Sequence, residues 1–201
     1  MPRIYSKQYK GYSRDLNKNR VNLVTGGAGF LGSHLIDSLM TSGERVICID
    51  NFSNGNLNNI ERWLDNKNFI YEKFDVCNKY KTDVDRIWHL ASLASPKKYL
   101  ENPISTINSS FIGSYNLLEL ARKSGARILF SSSSEIYGDS IVSPIHEENY
   151  GNVNCFSERA CYSEGKRIAE TLFFQYKHQY KVDVRIARIF NTYGPRLSSD
   201  D

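Results

Sequence analysis

The sequence predicts a doubly wound α/β domain built on a parallel sheet. Two observations lead there. From residue 21 onward, short apolar runs alternate with longer amphipathic stretches, and a cluster of glycines falls directly between the first run and the first helix. Strands separated by helices imply βαβ units, in which the strands lie parallel and the helices cover both faces. No internal repeat or low-complexity tract interrupts the alternation, and about seven strands are expected.

Val21–Thr25 (VNLVT) reads as a buried strand that breaks into the glycines. Residues 30–42 place Leu31, Leu35, Ile36 and Leu39 at helical spacing, and Gly43 ends that helix. Residues 45–50 (RVICID) are a second strand. The polar loop NFSNGNLNN leads to a short helix near 60–64 and a third strand near 68–74. Residues 84–90 (VDRIWHL) are the fourth strand. Pro103 sits early in a long helical stretch with Ile107, Phe111, Leu117, Leu118 and Ala121 on its apolar face, closed by Gly125. Residues 127–132 (RILFSS) form a fifth strand, a polar loop covers 138–158, a helix covers 160–180, and 182–190 (VDVRIARIF) is the last strand.

At 201 residues the chain has room for one domain with a tail. Hydrophobic residues at 40% and charged residues at 24% exclude wholesale disorder. No apolar run approaches the roughly 18–20 residues of a membrane helix, and the first twenty residues lack the apolar stretch of a secretory signal. Cys48, Cys77, Cys155 and Cys161 have no CxxC spacing, which argues against a zinc ribbon or disulfide scaffold and for reduced thiols in the cytoplasm. His34, His146 and His178 are scattered, so no metal site is expected, and His89 reads as a packed, hydrogen-bonded histidine. No GxSxG elbow occurs. Residues 1–20 carry a balance of +5 within a net charge of +4, leaving the remainder at −1. That distribution suits a flexible basic leader ahead of a domain at 21–201, and it excludes a nucleic-acid-binding body with a basic stripe.

Gly26, Gly29 and Gly32 recur at three-residue spacing between strand and helix. Such a turn needs positive φ at one glycine and lets the backbone approach a pyrophosphate, which the helix N-terminus favours electrostatically. Asp50 ends the second strand 18 residues after Gly32, where a carboxylate accepts hydrogen bonds from an adenosine ribose and repels a 2′-phosphate. NAD rather than NADP is therefore the expected cofactor of this Rossmann fold. Asp75, at the end of the third strand before Val76, is either a contact beside the adenine or an ordinary strand-end cap.

Tyr162 and Lys166 lie four apart on the 160–180 helix, hence on one face. A tyrosine of ordinary pKa, about 10, is a poor base at neutral pH. Lowering it by ~2–3 units takes roughly 3–4 kcal/mol of preferential phenolate stabilisation, within reach of a neighbouring ammonium and a cationic nicotinamide. Ser131 to Ser134 and Glu135 close the fifth strand, where strand ends line the ligand crevice of open α/β sheets. They are candidates to steady a substrate alcohol, or else a polar loop with a capping serine.

Six runs, VTGGAGFLGSHL (24–35), DNF (50–52), HLASLASP (89–96), SSSSEIYGD (131–139), RACYSEGKRIAET (159–171) and RIARIFNTYGPR (185–196), resemble the extended short-chain dehydrogenase/reductase family acting on nucleotide sugars. The resemblance covers residues 21–200. It implies Tyr162 as the base for a sugar 4-hydroxyl, Lys166 as its tuning group and ribose contact, and Ser133 as a hydrogen-bond partner of the hydroxyl, with Ser134 and Glu135 alongside. It implies cofactor contacts at Gly26, Gly29, Phe30, Leu31, Gly32, Asp50, Asn51, Phe52, Gly55, Asp75, Val76, Leu90, Ser92 and Thr192, besides Tyr162 and Lys166. Glu135, Asn191 and Arg196 would face the sugar nucleotide.

Within that family, Ser134-Glu135 fits the branch that decarboxylates UDP-glucuronate to UDP-xylose through a 4-keto sugar. Dehydratases typically carry Asp-Glu there, and 4-epimerases neither acid. A different dehydratase or epimerase and a non-catalytic NAD-binding module remain the alternatives. The resemblance further implies a homodimer formed by the two long helices, and a C-terminal substrate domain beyond residue 201.

Overall fold

The computed structural model describes residues 20–198, so the basic leader lies outside the described residues except for Arg20. The elements are β1 (Val21–Thr25), α1 (Phe30–Thr41), β2 (Arg45–Asp50), β3 (Phe69–Lys73), β4 (Arg86–His89), α2 (Pro96–Glu101), α3 (Pro103–Asn108), α4 (Ser114–Ser124), β5 (Arg127–Ser133), α5 (Ala160–Tyr180) and β6 (Val184–Ile189). All strands are parallel, in the order β3-β2-β1-β4-β5-β6. Each apolar run read as a strand becomes one, giving six strands among the described residues rather than about seven.

Alternation along β1 sends successive side chains to opposite faces. Leu23 joins Ile87, Ile128 and Phe130 under Leu117 and Leu118 of α4 and Phe173 of α5. Val24 joins Cys48 and Ile60 under Ile36, Leu39 and Met40 of α1. Both faces are thus sealed, as a parallel sheet requires. Phe130 and Phe173 stack at 5.0 Å, and truncating Phe173 to alanine would cost about 3–5 kcal/mol.

Two helical expectations change. The stretch near 60–64 forms 3₁₀ turns, Leu57–Asn59 and Glu61–Trp63, because Asn56 caps the first from its side chain and the polar run offers too little apolar face for a full helix. The long helix after Pro103 is interrupted by a π-helical turn, Ser109–Gly113, and is preceded by the separate α2. The widened turn brings Ser110 down on α5. A Cβ on Gly165 would stand 3.2 Å from the Ser110 Cβ and Oγ, a tight contact that would press on Ser110, so the small residue eases this approach next to Lys166.

The polar loop 138–158 is fastened by two arginines. Arg188 of β6 holds Glu170 through two nitrogens (3.1 and 2.9 Å) and donates to the Tyr137 hydroxyl and the Glu147 carbonyl. Arg167 donates to the carbonyls of Ile136 and Tyr150. The sheet order reverses between β1 and β4, which opens a crevice at the strand carboxyl ends.

Candidate active site

A cleft of about 690 Å³ occupies that crevice. At one end are Gly26, Gly29, Phe30, Leu31 and Gly32. Gly26 has φ +67°, and a Cβ there would sit 2.8 Å from the Ala91 backbone; a Cβ on Gly32 would strike the Gly26 carbonyl oxygen. No side chain caps the N-terminus of α1, so its first-turn N–H groups are left for an anion. The glycine spacing therefore builds a floor only hydrogen could line.

Asp50 borders the same space. Its Oδ2 accepts the Ala28 N–H at 3.0 Å and its Oδ1 the Phe52 N–H at 2.8 Å, which fixes the carboxylate while leaving lone pairs toward the cleft. Burial raises its pKa, and the two N–H donors partly offset that. A Cβ on Gly55 would stand 2.9 Å from both Asp50 oxygens, so the room beside the carboxylate exists because residue 55 is glycine. The cradle fits a pyrophosphate and a ribose diol.

Asn51, Asp75, Val76, Leu90, Ser92 and Thr192 border the cleft as well. Asp75 also caps its strand end: it accepts the Cys77 N–H at 2.8 Å and the Asn51 amide at 3.0 Å. Burial alone would lift its carboxyl, but these donors hold it below the ordinary range.

At the other end lie Ser133, Glu135, Tyr162, Lys166 and Asn191. Ser133 Oγ accepts the Glu135 N–H at 3.2 Å, leaving its own O–H to donate. Lys166 is 2% exposed; its Nζ donates to the Ser131 carbonyl at 2.8 Å and lies 5.6 Å from the centroid of the Tyr162 ring. Burial brings its pKa down to about 7. His89 is fully buried, its Nδ1 paired with Thr25 Oγ1 at 3.0 Å, and burial lowers it to about 3, so it stays neutral.

Three expected contacts lie elsewhere. Arg196 does not border the cleft: at φ +69° it turns to α1 and pairs with Asp37 at 2.7 Å. Ser134 opens the 3₁₀ turn Ser134–Tyr137 and does not border the cleft, unlike Ser133 and Glu135 on either side of it. Phe52, at φ +60°, packs edge-on against Tyr71 and serves Asp50 through its backbone.

Among the cleft-lining residues without an expected role are Tyr99 and Arg159. Tyr99 of α2 is 1% exposed and stacks on Tyr162, and its hydroxyl has no hydrogen-bond partner. Burial raises its phenol, with the charges of Arg159 lowering and Glu135 raising it in turn. Arg159 precedes α5 and donates to Glu135 Oε1 at 2.7 Å. The spacing of Arg159 three residues before Tyr162 was the available signal; for Tyr99 nothing separated α2 from the run beginning at Pro103.

The strand order, the glycine floor and the Tyr-Lys pair define a short-chain dehydrogenase/reductase of the epimerase/dehydratase type. Residues 23–200 match the model of the GDP-mannose 4,6 dehydratase family, and the chain belongs to that family.

It is 47% identical over its whole length to UDP-glucuronic acid decarboxylase 1 of Xenopus tropicalis, covering 48% of that protein. It is 49% identical over 94% of its length to UDP-glucuronic acid decarboxylase 6 of Arabidopsis thaliana, covering 55%. The chain thus spans about half the length of these curated relatives. Among solved structures, the dTDP-glucose 4,6-dehydratase DesIV of Streptomyces venezuelae, with NAD bound, superposes with a TM-score of 0.81 at 26% identity, over 90% of this chain and 59% of that one. UDP-N-acetylglucosamine 4-epimerase of Methanobrevibacter ruminantium gives 0.79 at 30% identity, over 92% and 59%.

Proposed function

We propose that this protein acts as an NAD-dependent decarboxylase converting UDP-glucuronate and a proton into UDP-xylose and CO2. One observation carries the reading: a glycine floor with Asp50 and a Ser133–Glu135–Tyr162–Lys166 wall share one cleft, in a chain 47–50% identical to UDP-glucuronic acid decarboxylases. Gly26, Gly29, Gly32 and the α1 N-terminus would hold the pyrophosphate, Asp50 the adenosine ribose, and Lys166 the nicotinamide ribose. NAD held there would supply the hydride acceptor and donor at sugar C4.

The chain's own groups handle the protons. Ser133 donates to the sugar's 4-oxygen and holds it against Tyr162. Tyr162 takes the hydroxyl proton, and the negative charge of its phenolate form favours the protonated form of Lys166 across the shared helix face. The resulting 4-keto acid is a β-keto acid. As the C5–carboxylate bond breaks, its electron pair moves to the 4-oxygen, where the protonated Tyr162 donates a hydrogen bond, and C5 then takes a proton. Tyr162 finally returns its proton to the 4-oxygen.

A homodimer belongs to the same reading. Ile104, Ile107, Phe111 and Tyr115 form an exposed apolar line down the α3–α4 face, and Ile168 and Phe174 of α5 are exposed as well. Light scattering giving a monomer at micromolar concentration would contradict it. None of the helices among the described residues is long and apolar enough to cross a membrane.

The test of the function is product analysis. UDP-glucuronate should yield UDP-xylose and CO2, and a Tyr162→Phe variant should bind NAD yet lose turnover by 100-fold or more. A product that retains its carboxylate would overturn the assignment in favour of dehydration or epimerisation.

A further inference from the structure

Arg159 stands one helical turn before Tyr162, at the sugar end of the cleft, with its side chain 57% exposed. It meets Glu135, itself 38% exposed, through one nitrogen and one oxygen. A guanidinium offers a planar fork that matches both oxygens of a carboxylate, so this end-on pairing uses only part of its capacity. A pair this exposed is weak and easily exchanged. Beside it lies the buried Tyr99 hydroxyl, a donor without a partner.

We infer that Arg159 recognises the substrate's carboxylate, leaving Glu135 for the uronate when the nucleotide sugar binds. This rests on the function proposed above. Trading one carboxylate for another conserves the charge around the guanidinium, and the second arm of the fork gains an oxygen it lacks now. A neutral hydroxymethyl sugar brings no such partner and leaves the Arg159–Glu135 pair closed. The exchange therefore selects acid over neutral sugar, and it frees Glu135 beside the reacting ring only when the acid is present. The Tyr99 hydroxyl is the second donor for the incoming carboxylate.

The experiment measures dissociation constants of UDP-glucuronate and UDP-glucose by calorimetry on NAD-loaded protein, in a Tyr162→Phe background so that the ligand is not consumed. With Arg159 present, the acid should bind at least tenfold more tightly than the neutral sugar. Arg159→Gln should bring that ratio close to one by weakening the acid alone, with UDP-glucose within twofold of its starting value. Arg159→Lys, which keeps the charge but loses the fork, should restore part of the preference. A ratio unchanged by Arg159→Gln overturns the inference; should that variant fail to fold, an unchanged ratio in Arg159→Lys overturns it equally. Failure of the underlying function reads out separately, as Tyr162-containing protein that makes no UDP-xylose from UDP-glucuronate.

Discussion

Tyr99 and Tyr162 lie face to face, with ring centroids 5.0 Å apart and planes 10° from parallel. The short helix α2 thereby sets the plane of the phenol that α5 presents to the cleft. Stacking and hydroxyl can be separated by substitution. Tyr99→Phe keeps the ring and removes an unpartnered buried O–H, so stability should be unchanged or slightly higher. Tyr99→Ala empties the wall behind Tyr162 and should cost about 3–5 kcal/mol in chemical denaturation, with kcat falling tenfold or more. Equal loss of kcat in both variants would show that ring stacking is not what Tyr99 contributes to turnover.

Lys166 gives the protein a pH signature. Its pKa falls from 10.5 to about 7 on burial, so between those values the unfolded chain binds a proton that the folded chain does not. Unfolding free energy therefore rises with pH across that window, by up to about 1.4 kcal/mol per pH unit. Cys48 and Cys77, both raised by burial from 9.0 to about 12, act in the opposite sense above pH 9. The lysine's contribution is thus cleanest between pH 7 and 9. Denaturant titrations there should show a rising slope in wild type and its loss in Lys166→Met; parallel slopes would contradict the lowering of the Lys166 pKa by burial.

Residues whose roles follow from backbone geometry were legible in the sequence. Gly26, Gly32 and Asp50 stand where the sequence places them, at the strand-to-helix turn and the end of the second strand, because a strand, a tight turn and a helix leave few places for a glycine or a strand-end acid to go. The Tyr162–Lys166 pair is legible for the same reason, since helical spacing alone puts both on one face. The sequence did not reveal that Arg196 and Phe52 adopt positive φ without being glycine, nor that Arg196 pairs with the distant Asp37 and the Phe52 ring meets Tyr71. The π-helical turn was hidden too, because the apolar period of its own helix carries no sign of it; it lies where Ser110 meets Gly165 of α5.

The cofactor cradle is tested by its two tightest residues. Asp50→Asn keeps the size but turns one acceptor into an NH2 donor, which then faces either the Ala28 or the Phe52 N–H. NAD affinity should fall by about 100-fold, given the loss of a charged acceptor for the ribose and of a fixed loop. Gly32→Ala drives a methyl into the Gly26 carbonyl and should abolish NAD binding through displacement of the turn. Fluorescence titration with NADH checks both; near-native affinity in Asp50→Asn would remove the carboxylate from the ribose site.

Arg188 is the residue on which the order of the 138–158 loop most depends. Its guanidinium meets Glu170, the Tyr137 hydroxyl and the Glu147 carbonyl, and lies 5.0 Å from the Tyr137 ring centroid. The side chains of Arg188 and Glu170 are 26% and 14% exposed, so their pairing is only lightly screened. Arg188→Met should destabilise by about 3 kcal/mol, because Glu170 is left partly buried without its counter-ion. The double variant Arg188→Met with Glu170→Met should recover a large part of that loss, since removing both charges avoids the stranded carboxylate. Limited proteolysis within 138–158 should quicken in both variants, because the contacts to Tyr137 and Glu147 are gone in each. Recovery of stability without recovery of protease resistance is the pattern expected of a clamp whose ion pair anchors it and whose hydrogen bonds to uncharged acceptors hold the loop.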